Sequence, residues 1–168
     1  MSSFAITPGT KFDASLLYHI DGDQIHKHIR IDDIFKDKLS VVFGGPAPFS
    51  RLDTEQAELY EQFSGDMLKH VDQIVAIYPQ DAFVCKKFKE EISSKTNSNN
   101  VVYYADGDAF FLRDYNIMLD LTFQGLCVRS DRWCGVIKDC EVIWVANDEY
   151  SCIDRTHPNM VLEWLQSQ

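Results

Sequence analysis

Apolar positions along this 168-residue chain change period several times, and the changes mark out its elements. Residues 16–31 alternate apolar and polar on either side of Asp21-Gly22, which predicts a β-hairpin. A helical turn over residues 31–35 leads into Leu39, Val41, Val42 and Phe43, a short run with β-branched residues that predicts a buried strand. QIVAIY (Gln73–Tyr78) and VVYYA (Val101–Ala105) predict two more strands. Between the first two strands, Ala57, Tyr60, Met67, Leu68 and Val71 recur at helical spacing and give one core-facing stripe, with Gly65 marking a kink or an early end. Pro79-Gln80-Asp81 caps a second helix, DAFVCKKFKEEI, and Asp106-Gly107-Asp108 turns into a third over 109–115. The polar stretch 93–100 predicts a mobile surface loop, and residues 1–14 a loose terminus. Further on, 134–138 and 141–146 form a strand hairpin turning at Asp139-Cys140, and 158–165 an amphipathic closing helix. Strands alternating with helices predict a single α/β domain over 1–168.

The chemistry concentrates where the first buried strand stops. Gly44, Gly45, Pro46 and Pro48 break the run, and Asp53 with Gln56 three residues on has capping-box spacing for a helix starting near Thr54. Ser50 and Asp53 then stand in a helix's first turn, where partial positive charge and unpaired amides favour an anionic group.

Pro46, Phe49 and Ser50 resemble the active-site segment of peroxiredoxins of the type-5 (redoxin, AhpC/TSA-like) subfamily. Further matches follow in order: Asp81, Phe83 and Val84 with Gln80 in place of Asn, then Asp106, then Arg129, Ser130 and Arg132 before Trp133. The resemblance implies a thioredoxin-like fold, a central mixed β-sheet flanked by helices with an N-terminal β-hairpin, and a homodimer. It places Asp53 at the position of the peroxide-attacking cysteine and aims Arg132 at it, so the two are expected to form an ion pair. Arg51 and Leu52 stand where the family has Pro and Thr, and Cys127 and Cys140 where it commonly has glycine. A thiolate attacks the peroxide O–O bond and becomes a sulfenic acid; a carboxylate cannot follow that route.

Charge and thiols narrow the alternatives. The net charge of −10 argues against nonspecific nucleic-acid or anionic-membrane binding, and no apolar run reaches membrane-spanning length. No basic leader precedes an apolar stretch, so a cytoplasmic protein is expected. The five cysteines include no Cys-x-x-Cys pair, and free thiols are expected. His26 and His28 are expected on one face of the second strand; two histidines at that spacing could share a metal, but no third ligand is visible nearby and they read as a solvated strand face. No cofactor and no metal are therefore assigned, and Trp133, Trp144 and Trp164 read as core or interface anchors.

Three functions remain. The first is a binding or scaffolding protein without thiol-peroxidase activity, with Asp53 structural and Pro46, Ser50 and Arg132 keeping the pocket. The second is a peroxidase using a relocated thiol. Cys85 qualifies as a thiol in the first turns of a helix, and Cys152 lies where some family members carry a resolving cysteine. The third is a sensor holding a small anion or a peroxide-like molecule in the Ser50/Arg132 pocket. The residues assign no role to Cys127, Cys134 or Cys140.

Overall fold

The structure is a computed structural model, and it describes residues 4–21 and 23–168. Strands β1 (Leu16–Asp21) and β2 (Gln24–Arg30) form the expected hairpin; Gly22 of the expected turn lies outside the described residues. There follow α1 (Ile31–Phe35), β3 (Leu39–Gly44), α2 (Arg51–Met67), β4 (Gln73–Tyr78), α3 (Ala82–Thr96), β5 (Val101–Ala105) and α4 (Phe110–Asp114). The chain ends with β6 (Met118–Asp120), β7 (Val128–Ser130), β8 (Arg132–Lys138), β9 (Glu141–Asp148) and α5 (Pro158–Gln166).

Seven strands make one mixed sheet in the order β2-β1-β5-β4-β3-β8-β9, with β3, β4 and β5 parallel and β8 antiparallel to β3. The central strands are covered on both faces. Val41, Ile74 and Ala76 join a core with α2, α3 and α5, while their neighbours Val42, Val75 and Ile77 face α1, α4 and the N-terminal segment. Burial on both sides is why these strands read as unbroken apolar runs.

Two flexible-segment expectations are corrected. Residues 4–14 are not loose: Phe12 is fully buried among Phe35, Phe111, Tyr115 and Trp133. Gly9 and Phe12 donate amides to Val142 and Cys140, and Val142 donates back to Thr10. The physical reason is that α1 and α4 have five residues each, too short to cover their face of the sheet. The segment completes that cover and protects the edge strand β9. The stretch 93–100 is not a free loop either, because α3 runs through Thr96. Buried Glu61 of α2 then accepts from Ser98 Oγ (2.6 Å), Asn100 N (3.1 Å) and Val101 N (3.0 Å).

The histidine expectation is corrected as well. Pairing of β1 with β2 runs Leu17↔Ile29 and then His19↔His26, so a bulge intervenes, with His28 at φ 54°. One extra residue reverses the facing of everything beyond it. His28 therefore stands beside Tyr18, and His26 faces His19 instead of sharing a face with His28.

The β8–β9 turn is a two-residue loop, Lys138↔Glu141, with Asp139 at φ 47° and Cys140 at φ 66°. Cys127 also has positive φ, at 57°. Both cysteines thus occupy left-handed backbone, at a cost of roughly 1 kcal/mol or more apiece. Trp133 is fully buried against Phe111, and Trp144 stacks on Trp164 at 6.1 Å.

Candidate active-site pocket

Ser50, not Asp53, is the N-cap of α2. Its backbone is extended (φ −63°, ψ 155°), and its Oγ accepts from the Asp53 amide at 3.2 Å. The Ser50 hydroxyl donates in turn to Asp53 Oδ2 at 2.6 Å. Ser50 and Asp53 thus bond reciprocally through the Ser50 hydroxyl, and the helix begins at Arg51 rather than near Thr54. Phe49, the residue before the cap, has φ 69° and leans on Phe88, which fixes the exit of the Pro46 loop.

Asp53 is fully buried and saturated. Besides Ser50, Oδ2 accepts from the Ala47 amide at 3.0 Å, and Oδ1 accepts from Arg132 Nη1 at 3.0 Å. The ion pair expected between Asp53 and Arg132 is formed, with the two side chains 0% and 1% exposed. Burial raises the Asp53 pKa, with Arg132, Ser50 and Ala47 opposing it.

The sequence reading missed three supports. Gln56, taken as half of a capping box, instead accepts from Arg132 Nη1 at 2.7 Å through Oε1; its position three residues beyond Asp53 on one helix face was the available signal. The Tyr150 carbonyl accepts from Arg132 Nη2 at 3.2 Å, a backbone contact that no residue type announces. Gly45 is the third: a Cβ there would collide with Asp53 Oδ1 and stand 3.1 Å from Arg132 Nη1. The absence of a side chain at 45 is what gives the carboxylate its seat.

A second buried carboxylate steadies the same corner. Asp148 pairs in register with Arg132 across β8 and β9. It accepts from the amides of Asp154, Arg155 and Thr156 and from Thr156 Oγ1, at 2.8–3.1 Å. Tyr60 of α2 donates to the Thr156 carbonyl at 2.9 Å, so the loop carrying Tyr150 is tied at its far end. Burial acts to raise the Asp148 pKa, but these donors prevail and the net direction is down.

These groups border a cavity of about 300 Å³, walled by Pro46, Ser50, Leu52, Leu121, Leu126 and Tyr150 with Asp53 and Arg132 at its base. Arg132 Nε and Gln56 Nε2 are buried with no acceptor among the described residues. Pro46, Ser50, Asp53 and Arg132 are thus brought together. Arg129 lies outside this set, its Nε and Nη1 donating to the Leu126 and Pro79 carbonyls at 2.6 and 3.2 Å.

The candidate thiols do not join it. Cys85 packs into the core at 3% exposure, and burial, with Asp81 and Asp106 adding, pushes its pKa up to about 12. The helix N-terminus expected to activate Cys85 is outweighed by desolvation. Cys152 is also shifted up, by burial and then by Asp148 and Asp154. All five cysteines are free. Asp148, Cys152 and Asp154 bring ligand atoms within 4.8 Å of one another, but the Asp148 carboxylate is already committed to its four donors.

The class defined by this sheet order and site is the thioredoxin-like α/β fold, in the form seen in peroxiredoxin structures. The chain superposes on reduced Prx3 from Vibrio vulnificus in complex with H2O2, with a TM-score of 0.86, 23% identity and 96% of each chain covered. It superposes on peroxiredoxin 5 from Alvinella pompejana with a TM-score of 0.82 and 18% identity, covering 97% of this chain and 99% of that one.

Among curated proteins it is similar to mitochondrial Peroxiredoxin-2F of Arabidopsis thaliana, 25% identical over 114 residues. That match covers 67% of this chain and only 55% of the plant protein. Peroxiredoxin-2C of rice is 28% identical over 131 residues, covering 77% of this chain and 78% of the relative. No family model matches the chain. Among the described residues, no helix is long and apolar enough to cross a membrane.

Proposed function

We propose that this chain is a peroxiredoxin-like protein in which Asp53 takes the place of the peroxide-attacking cysteine, so that it binds through the retained pocket and does not turn over peroxides. One observation carries the proposal. The Asp53 carboxylate uses the hydroxyl of Ser50, the amide of Ala47 and the guanidinium of Arg132, the donors that would otherwise polarise a bound oxygen species. A carboxylate so held is a structural anion, with neither the sulfur needed for the redox cycle nor a converging base that would make it an acid–base pair.

What remains open to a ligand is the 300 Å³ cavity, lined by Ser50, Arg51, Gln124 and Tyr150 beside the apolar Leu52, Leu121 and Leu126. A small molecule with both polar and apolar parts suits that lining. The rise in the Cys85 and Cys152 pKa values runs against a relocated peroxidatic thiol. A homodimer meeting through the Pro46 loop and the start of α3 belongs to the same proposal, since Phe49 and Phe83 are exposed there at 45% and 62%. Light scattering over a wide concentration range gives a dimeric mass if this is right and a monomeric mass if it is wrong. The cytoplasmic expectation draws no support from the relatives, which include proteins named as mitochondrial and chloroplastic.

The functional test is peroxide consumption with a dithiol reductant. The parent protein is expected to match a variant lacking all five cysteines. Rapid turnover abolished by Cys85→Ser or Cys152→Ser would overturn the proposal.

A further inference from the structure

The sheet edge farthest from β9 carries a feature that the pocket does not explain. His19 of β1 and His26 of β2 are directly opposed in the antiparallel register. Their imidazoles stand 6.1 Å apart at 28°, close to parallel. Directly opposed residues are the pairs whose side chains meet on a sheet face. The register set at the turn, Asp21↔Gln24 and Ile20↔Ile25, fixes this opposition, and the bulge at residues 27–28 moves His28 away from His26.

The two rings are held differently. His19 Nδ1 lies 3.0 Å from the Tyr103 carbonyl of β5, and its ring packs 5.5 Å from Tyr104. A carbonyl can only accept, so Nδ1 carries the hydrogen and, in the neutral ring, the lone pair falls on Nε2. A backbone carbonyl on one imidazole nitrogen is the arrangement that orients metal-binding histidines and raises the basicity of the other nitrogen. His26 is exposed on the edge strand, while His19 is half-buried and anchored. Metal–nitrogen bonds of about 2.1 Å need the rings slightly closer than they stand, a closure that rotation of the exposed His26 side chain supplies. The protein's net charge of −10 favours cations at its surface.

We propose that His19 and His26 form a surface site for a divalent transition ion of the imidazole-preferring kind (Ni²⁺, Zn²⁺ or Cu²⁺), with water completing the coordination. The bound ion clips the edge strand β2 to β1. This site is independent of the Asp53 pocket and stands whether or not the functional proposal above does.

The test is titration of the full reduced chain with Ni²⁺ by calorimetry near neutral pH, with melting followed in parallel. One ion per chain is expected, together with a rise in melting temperature on addition of the metal, because the ion binds only the folded hairpin. Either His19→Asn or His26→Asn should weaken binding by about tenfold or more, with the double variant little worse than either single, since each imidazole depends on its partner. His28→Asn, across the bulge, and Cys152→Ser, at the acidic cluster, should leave the affinity unchanged. Absence of Ni²⁺ binding by the parent would overturn the proposal. So would unchanged affinity in either His19 or His26 variant, or an equal loss on His28→Asn. Melting of each variant without metal verifies that it is folded.

Discussion

Asp53 and Asp148 are buried carboxylates in one corner of the molecule, both bound up with Arg132, and they are held in opposite ways. Asp148 accepts from three amides and a hydroxyl of the loop it anchors, with the exposed Arg155 guanidinium 3.7 Å away, and its pKa is shifted down overall. Asp53 has a guanidinium, yet burial raises its pKa. Several converging hydrogen bonds thus outweigh desolvation at Asp148, while at Asp53 even a guanidinium, a hydroxyl and an amide do not. Asp148 secures architecture. Asp53 depends on its charged partner.

Removing the guanidinium should separate the two most sharply. Arg132→Met strands the Asp53 carboxylate and should destabilise the fold by about 3–5 kcal/mol in denaturant melts. Adding Asp53→Leu should restore much of that loss, because replacing a buried ion pair with apolar groups is often near neutral. If the double variant were as unstable as the single, Asp53 would not be what Arg132 neutralises.

Gly45→Ala probes the seat instead of the charge. Its Cβ meets Asp53 Oδ1, so a loss of roughly 1–3 kcal/mol is expected, and it should shrink markedly in an Asp53→Ala background. Equal losses in the two backgrounds would show that Gly45 serves the backbone alone.

The smallest effects are in pH. The lowered Asp148 pKa means that its stabilisation is present above the ordinary carboxyl range and is lost as pH falls through its folded value. Asp106, which caps the amides of Phe111 and Leu112, is pushed by burial from 3.8 up to about 7. A raised carboxyl has the opposite sign: its contribution is largest below 3.8 and fades as pH rises towards about 7. Asp148→Asn should therefore flatten the acid limb of the stability profile, and Asp106→Asn the decline between those two values. Melting across pH distinguishes them.

The central sheet was legible because two-sided burial leaves long apolar runs. The Asp53–Arg132 pair was legible only through the resemblance, which sets the two residues at the positions of a nucleophile and its guanidinium partner. What escaped depended on distant parts of the chain. Ile6 and Phe12 look isolated until α1 and α4 prove too short to cover the sheet. The loop after α3 looks free until Glu61 reaches it from another helix. Asp53 was misplaced as the cap because a Ser three residues before an Asp and an Asp three before a Gln give competing boxes, and only the backbone conformation at Ser50 decides between them. The separation of His28 from His26 needs a bulge that alternation alone does not reveal.

The measurement closest to the central claim is peroxide reduction by Asp53→Cys beside the parent. Ser50, Arg132 and the start of α2 remain to lower the thiol pKa, so the variant should gain a reactive thiolate and slow, dithiol-dependent peroxide turnover. Arg51 and Leu52 stand where the peroxiredoxin segment that this stretch resembles has Pro and Thr, and a 1 Å misplacement of a reacting group costs about a hundredfold, which is why slow turnover is expected. Slow turnover by the variant with none by the parent is the predicted result. A folded Asp53→Cys protein with an unreactive thiol, or a parent that already consumes peroxide rapidly, would contradict the account.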